Sequence, residues 1–170
     1  MARAEWPIIF MKICETIRDR SSCLKYKTSC LVVKGTQIIS IGYNGTASKQ
    51  TECDDYWRKY WEDEKIKEEY HDWIKSKEFK DLHSKWSVVN EIHAEVNALN
   101  WISKHDVTDD YVLYTYYSPC EQCAKQIVSY GIKTVYYLHD YKGRVHGCLQ
   151  GIDYLKNMNI NCIKIQYKQQ

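Results

Sequence analysis

Glycine and proline are scarce in this chain, at 7 and 2 of its 170 residues. With so few of either, no segment reads as a flexible linker. There is no internal repeat and no low-complexity tract. No apolar run approaches the ~18–20 residues that span a bilayer. The first residues lack the form of a secretory signal, because Lys12 and Glu15 interrupt the short apolar patch at 6–11. Net charge is also small: 24 basic against 22 acidic residues give +2. That balance argues against a protein held to nucleic acid by charge alone. Hydrophobic residues at 44% and charged residues at 27% are ordinary globular usage, which excludes global disorder.

The length suits one domain with one core, taken as residues 1–170. Without an export route the chain is expected in the reducing cytoplasm. Its 8 cysteines there read as metal ligands, catalytic groups or buried small residues before they read as disulfides. Charge is unevenly spread. Residues 1–50 carry 8 basic and 3 acidic groups, whereas residues 54–85 carry 8 basic and 10 acidic.

The spacing of Ile9, Ile13 and Ile17 behind Pro7 predicts an amphipathic helix over 6–20. Cys30-Leu31-Val32-Val33 is a short apolar strand, and the Lys34-Gly35 turn leads to a second strand over 37–42. Residues 43–53 read as a loop. Residues 54–82 combine charge with aromatics and read as a partly helical insertion. Their charges suit a solvated face, with an oligomer contact through the aromatics as the alternative. Beyond them the pattern predicts helices over 93–104, 120–130 and 147–158, and strands over 111–117, 133–138 and 160–166. Gly131 marks the end of the second of these helices. A hairpin followed by alternating helices and strands indicates an α/β fold, its sheet antiparallel at one edge and parallel beyond.

His93-Ala94-Glu95 opens one predicted helix, and Pro119-Cys120-Glu121-Gln122-Cys123 opens the next. Cys120 and Cys123 lie three apart on a first turn, so both sulfurs face one way. The positive helix end favours thiolate, the form that binds metal. His93 makes a third ligand, and a catalytic zinc site keeps its fourth position for water. Two thiolates and a neutral imidazole balance Zn²⁺, and water in such a site falls from a pKa of about 15.7 towards about 7. Glu95, two residues beyond His93, is placed to move protons. A closed zinc ribbon or a redox C-x-x-C pair would explain the cysteines alone. Neither has a use for the acid at that offset. The combined pattern resembles the H-x-E…P-C-x-x-C signature of zinc deaminases.

Longer strings narrow the resemblance. His83-Ser84-Lys85-Trp86, then Asn90-Glu91-Ile92-His93-Ala94-Glu95-Val96-Asn97-Ala98, resemble the deoxycytidylate (dCMP) deaminase family. So do Gly42-Tyr43-Asn44-Gly45 followed by Cys53, and Tyr117-Ser118-Pro119-Cys120 with the residues to Lys125. Trp6, Phe10-Met11 and Arg20-Ser21-Ser22-Cys23 resemble the family's beginning. The likeness covers roughly 6–53 and 83–165 and leaves the insertion, about 54–82, outside it.

The resemblance implies a three-layer α/β/α cytidine-deaminase-like fold with a mixed five-stranded sheet. It implies deamination of dCMP to dUMP for thymidylate synthesis, with dCTP activating, dTTP inhibiting, and assembly as a homo-hexamer. It implies a second, structural zinc held by Cys23, Cys53, His83 and Glu91, and Mg²⁺ accompanying a triphosphate effector. Gly42, Tyr43, Asn44 and Gly45 would form an effector loop whose backbone N–H groups meet phosphate. Ala94, Ser118 and Tyr141 are further nucleotide contacts. Lys104 stands where some relatives place a phosphate-reading Arg, without the bidentate fork. Lys27-Thr28-Ser29-Cys30 and Tyr116-Tyr117 also depart from the family's usual Lys-Val-Gly-Ala and Thr-Leu. These departures leave dCTP, cytidine and deoxycytidine as alternative substrates.

Two other classes remain at this point. A polynucleotide editor would need a basic stripe with exposed aromatics. A non-catalytic zinc module would leave Glu95 without a purpose. Neither a stable nucleic-acid partner nor a membrane is expected. Cys14, Cys30, Cys148 and Cys162 read as buried packing. His71, His105, His139 and His146 read as surface or loop residues. Tyr141, Lys142 and Arg144 follow a strand end, where ligand sites gather.

Overall fold

Strand β1 (Ser29–Lys34) is buried at every position except Lys34, so both of its faces must be covered. A strand covered on both sides reads as a continuous apolar run. Leu31 and Val33 meet Phe10, Met11 and Cys14 of helix α1 (Trp6–Ile17). Cys30 and Val32 meet Ala94 and Ala98 of helix α5 (Ala94–Leu99). The computed structural model describes residues 3–141 and 151–167. Lys142, Arg144, His146, Cys148 and the expected helical residues 147–150 lie outside them.

A turn through Gly35, at φ +58°, returns the chain as β2 (Gln37–Tyr43), antiparallel to β1. On its other side β1 pairs antiparallel with β5 (Tyr111–Tyr117). Strands β6 (Thr134–His139) and β7 (Asn161–Lys164) then add in parallel, giving the order β2-β1-β5-β6-β7. Helix α1 covers one face. Helices α5, α6 (Glu121–Tyr130) and α7 (Gly151–Asn157) cover the other. The fold is therefore the three-layer α/β/α arrangement with a mixed sheet. No helix among the described residues is long and apolar enough to cross a membrane.

Helix α5 rests directly on the backbone of β2. A Cβ at Gly42 would lie 2.1 Å from the Ala94 carbonyl oxygen and 2.5 Å from the Ala98 nitrogen. Ser40 adds a hydroxyl donated to the Ala98 carbonyl at 2.8 Å. The expected helix over 93–104 stops at Leu99, and a 3-10 turn occupies Lys104–Asp106. The expected loop over 43–53 contains β3 (Gly45–Thr46), paired with β4 (Glu91–Ile92).

The aromatic segment folds on itself. Helices α2 (Cys53–Asp63), α3 (Tyr70–Trp73) and α4 (Lys77–Asn90) enclose Trp57, Trp73 and Phe79, with Tyr60, Trp61 and Trp86 packed around them. Trp57, Trp73 and Phe79 thus face inward, while the charges of the segment stay outside. The Ser76 hydroxyl caps α4 by accepting the Phe79 N–H at 3.0 Å. Cys14 and Cys30 are buried as expected, but Cys162 on the edge strand β7 is only half-buried. His139 also departs from expectation: it ends β6, with its ring against those of Tyr116 and Tyr117.

Candidate active site

His93 occupies the N-cap of α5 and Cys120 the N-cap of α6, with Cys123 in the first turn. His93 Nδ1 lies 3.2 Å from Cys123 Sγ and 3.4 Å from Cys120 Sγ. Donor atoms on a tetrahedral zinc, at bond lengths of about 2.3 Å (sulfur) and about 2.0 Å (nitrogen), are separated by roughly 3.5 Å. The three donors fit that geometry. The Cys123 thiol and then the His93 ring stabilise the Cys120 thiolate, holding it down at about 4. The same hydrogen bond lifts His93 to about 9. Gly151 lets α7 approach this corner, since a Cβ there would lie 2.1 Å from the Pro119 carbonyl oxygen.

Glu95, in the first turn of α5, is only 5% exposed. Burial pushes its carboxyl above the ordinary carboxylate range, against the opposing influence of His93. A buried acid whose carboxyl is raised above its ordinary range suits proton transfer.

A second cluster brings together Cys23, Cys53 (which opens α2), His83 from α4 and Glu91 from β4. Its donor atoms all lie within 4.8 Å of one another. His83 Nε2 is 3.3 Å from Cys53 Sγ and 3.6 Å from Cys23 Sγ. Glu91 Oε1 is buried without a hydrogen-bond partner. An orphaned buried carboxylate is costly unless an ion answers it. Burial, then the neighbouring Cys23, raises the Glu91 carboxyl to about 8. The Cys53 thiol lowers Cys23 to about 3. Two sulfurs, one imidazole and one carboxylate fit a closed tetrahedral zinc.

A cavity of about 390 Å³ joins the clusters, lined by His93, Glu95 and Cys120 and by Cys23, His83 and Glu91. Its remaining wall includes three tyrosines. The ring of Tyr26 meets Tyr117 and Tyr141 edge-on, at 5.8 and 5.7 Å. The Ser118 hydroxyl accepts the Tyr141 N–H at 2.8 Å, which fixes both residues on the cavity wall. Burial lifts the Tyr141 phenol to about 12.

A family model described as the cytidine and deoxycytidylate deaminase zinc-binding region matches residues 4–139. The chain belongs to this deaminase family. Among the deaminase's relatives, the deoxycytidylate deaminase of Enterobacteria phage T4 is 30% identical over 174 residues, covering 93% of this chain and 89% of that protein. The human deoxycytidylate deaminase is 31% identical over 137 residues, 80% of this chain and 66% of that protein. The dCMP deaminase of cyanophage S-TIM5, solved in complex with dCMP and dUMP, is similar in structure. It is 26% identical with a TM-score of 0.68, covering 97% of this chain and 100% of that one.

In this deaminase Gly42, Tyr43 and Gly45 line a second cavity of about 480 Å³, together with Arg20, Lys49 and Trp101. Asn44 lines both cavities. Its amide is already engaged with Ser21, Tyr26 and Thr28. Ala94 is fully buried under the sheet and lines neither cavity. Lys104 is also apart from both, bonded to Ser129 Oγ at 3.2 Å and placed over the Tyr130 ring. Lys25, Tyr26 and Ser84 line the cavity that joins the two metal clusters and were not among the site residues expected from the sequence. For Lys25 the sequence signal is the cationic excess of the first 50 residues, which marks no particular side chain; Ser84 falls in the His83-Ser84-Lys85-Trp86 string without a role of its own.

Proposed function

We propose that the chain deaminates dCMP to dUMP, consuming water and releasing ammonia. The observation that carries this reading is Glu95, a buried carboxyl of raised pKa on the cavity wall beside the His93, Cys120 and Cys123 donors. The choice of dCMP is supported by the phage T4 relative's name and by the dCMP and dUMP bound to the cyanophage relative.

His93, Cys120 and Cys123 would hold the catalytic zinc. Zinc in such a site lowers the pKa of water towards about 7. Glu95 takes the proton of the attacking water and delivers it to the cytosine ring nitrogen N3. It then takes the remaining proton from that water's oxygen and hands it to the departing amino group. The water oxygen becomes the C4 carbonyl oxygen of uracil, and the amine leaves as ammonia. Tyr26, Tyr117 and Tyr141 offer flat, largely apolar walls to the base, and Ser118 fixes Tyr141 in that wall.

The second cavity would take the effector. Arg20 and Lys49 supply positive charge beside the Gly42–Gly45 turn, which suits a triphosphate such as dCTP or dTTP with its Mg²⁺. Cys23, Cys53, His83 and Glu91 would hold a structural zinc, stapling an insertion at about 54–82 to a single domain of residues 1–170. Trp101, 80% exposed, with Ile39, Ile41 and Tyr43 on the β2 edge, supports assembly into a homo-hexamer. The seven described cysteines are unpaired, which suits a reducing cytoplasm. The test is ammonia release from dCMP, dCTP, deoxycytidine and single-stranded DNA, each with and without dCTP or dTTP as effector. Release from dCMP, raised by dCTP and lowered by dTTP, is expected. Release from none of the mononucleotides overturns the reading.

A further inference from the structure

A deaminase of nucleotides must read a phosphate, and Lys104, which the resemblance offered for that task, lies outside both cavities. Among the described residues lining the cavity that joins the two metal clusters, Lys25 is the one Lys or Arg. The acids there are Glu91, Glu95 and Glu121. Glu91 and Glu95 belong to the two metal clusters or adjoin them, so among the described residues Lys25 is the cation of this wall, apart from the metal-site histidines, that a phosphate dianion can meet.

We infer that Lys25 reads the 5′-phosphate of the deoxynucleotide, a role that rests on the dCMP reading above. Its ammonium is held in place. Lys25 Nζ donates to Ser84 Oγ at 2.6 Å and lies 3.4 Å from the Lys80 carbonyl oxygen. Ser84 in turn donates to that carbonyl at 2.7 Å. These partners sit on α4, which contributes Ser84, Ser87 and Val88 to the cavity. His93 and Cys120 belong to the starts of α5 and α6. The reacting ring and the phosphate therefore have separate protein elements to bind. Lysine acts here as a compact point charge with three donors, which suits a phosphate able to approach from several directions. The aromatic insertion gains a catalytic purpose on this account: α4 positions the cation that selects phosphorylated substrate.

The test uses the zinc-loaded full chain as wild type, Lys25→Ala and Lys25→Arg. Two quantities are read: KM and kcat for dCMP, and the Kd of dUMP by calorimetry. Lys25→Ala should raise the dCMP KM and weaken dUMP binding by about tenfold or more, with the loss falling on KM and not on kcat. Lys25→Arg, which keeps the charge, should recover most of both. A KM and a dUMP Kd within about twofold of wild type in Lys25→Ala overturn the inference. So does a loss that falls equally on kcat, or one that Lys25→Arg fails to recover, because either marks a structural role. The two readings fail separately. A wild type that releases no ammonia from dCMP defeats the proposed function, whereas the dUMP comparison still reports on Lys25.

Discussion

Asn44 is tied to Thr28 twice over: the Thr28 N–H donates to the Asn44 side-chain oxygen at 2.9 Å, and the Asn44 N–H donates to the Thr28 carbonyl at 3.2 Å. The same side chain accepts the Ser21 hydroxyl at 2.8 Å and donates to the Tyr26 carbonyl at 2.9 Å. Asn44 therefore organises the segment that carries Cys23, Lys25 and Tyr26. Asn44→Ala strands several buried polar groups, at about 1–3 kcal/mol for each that finds no water. Urea denaturation should show a loss of that order, accompanied by a raised KM for dCMP. A stability within about 0.5 kcal/mol of wild type would show that the segment holds without it.

Gly42→Ala tests how α5 is seated. The added methyl meets backbone atoms of α5 at 2.1 and 2.5 Å, so no side chain can swing aside to admit it. The helix must move off β2, carrying His93 and Glu95 with it. The cost should be about 1–3 kcal/mol or more, with activity falling further than stability. Thermal melts and dCMP turnover measured together check this, and a fully active variant would contradict it.

Cys53→Ser separates the metal sites. Zinc content by atomic absorption should drop from about two to about one per chain. The remaining zinc belongs to His93, Cys120 and Cys123, whose donors share no residue with the lost site. Retention of both zincs would show that Cys23, His83 and Glu91 suffice or that the second cluster is not a zinc site.

Stability should fall at alkaline pH. Burial between α1 and the sheet lifts the Cys14 thiol from 9.0 to about 12. Folded chains keep that proton where unfolded chains lose it. The contribution is fully present below pH about 9 and is lost progressively towards pH about 12. Cys30, raised by the same burial, acts in the same direction. Urea midpoints at several alkaline pH values should decline, and Cys14→Ala should decline less steeply. Equal slopes would mean that other groups set the dependence.

Local patterns were legible in the sequence and long-range ones were not. The run Cys30-Leu31-Val32-Val33 announced a strand because both its faces are covered. His93, Glu95, Cys120 and Cys123 were legible because two helix starts carry all of them at fixed spacing. The β3–β4 pair is two residues long on each side, too short to have a period. Trp57, Trp73 and Phe79 gave no clean stripe because they pack around one another across three short helices. Lys25 was invisible as a site residue because its partner Ser84 lies 59 positions away. Past Leu99 the apolar pattern continued through Trp101 and Ile102, and so extended the expected helix, but Trp101 points to solvent.

Glu95 carries the central claim, and Glu95→Gln tests it most directly. Wild type and variant are loaded with zinc, assayed for metal content, and supplied with dCMP while ammonia is measured. Glutamine keeps the size of the side chain but cannot shuttle the proton. The account predicts unchanged zinc content and a kcat lowered by about 10²–10⁴-fold. A variant that retains its zinc and turns over dCMP at a rate close to wild type would contradict it.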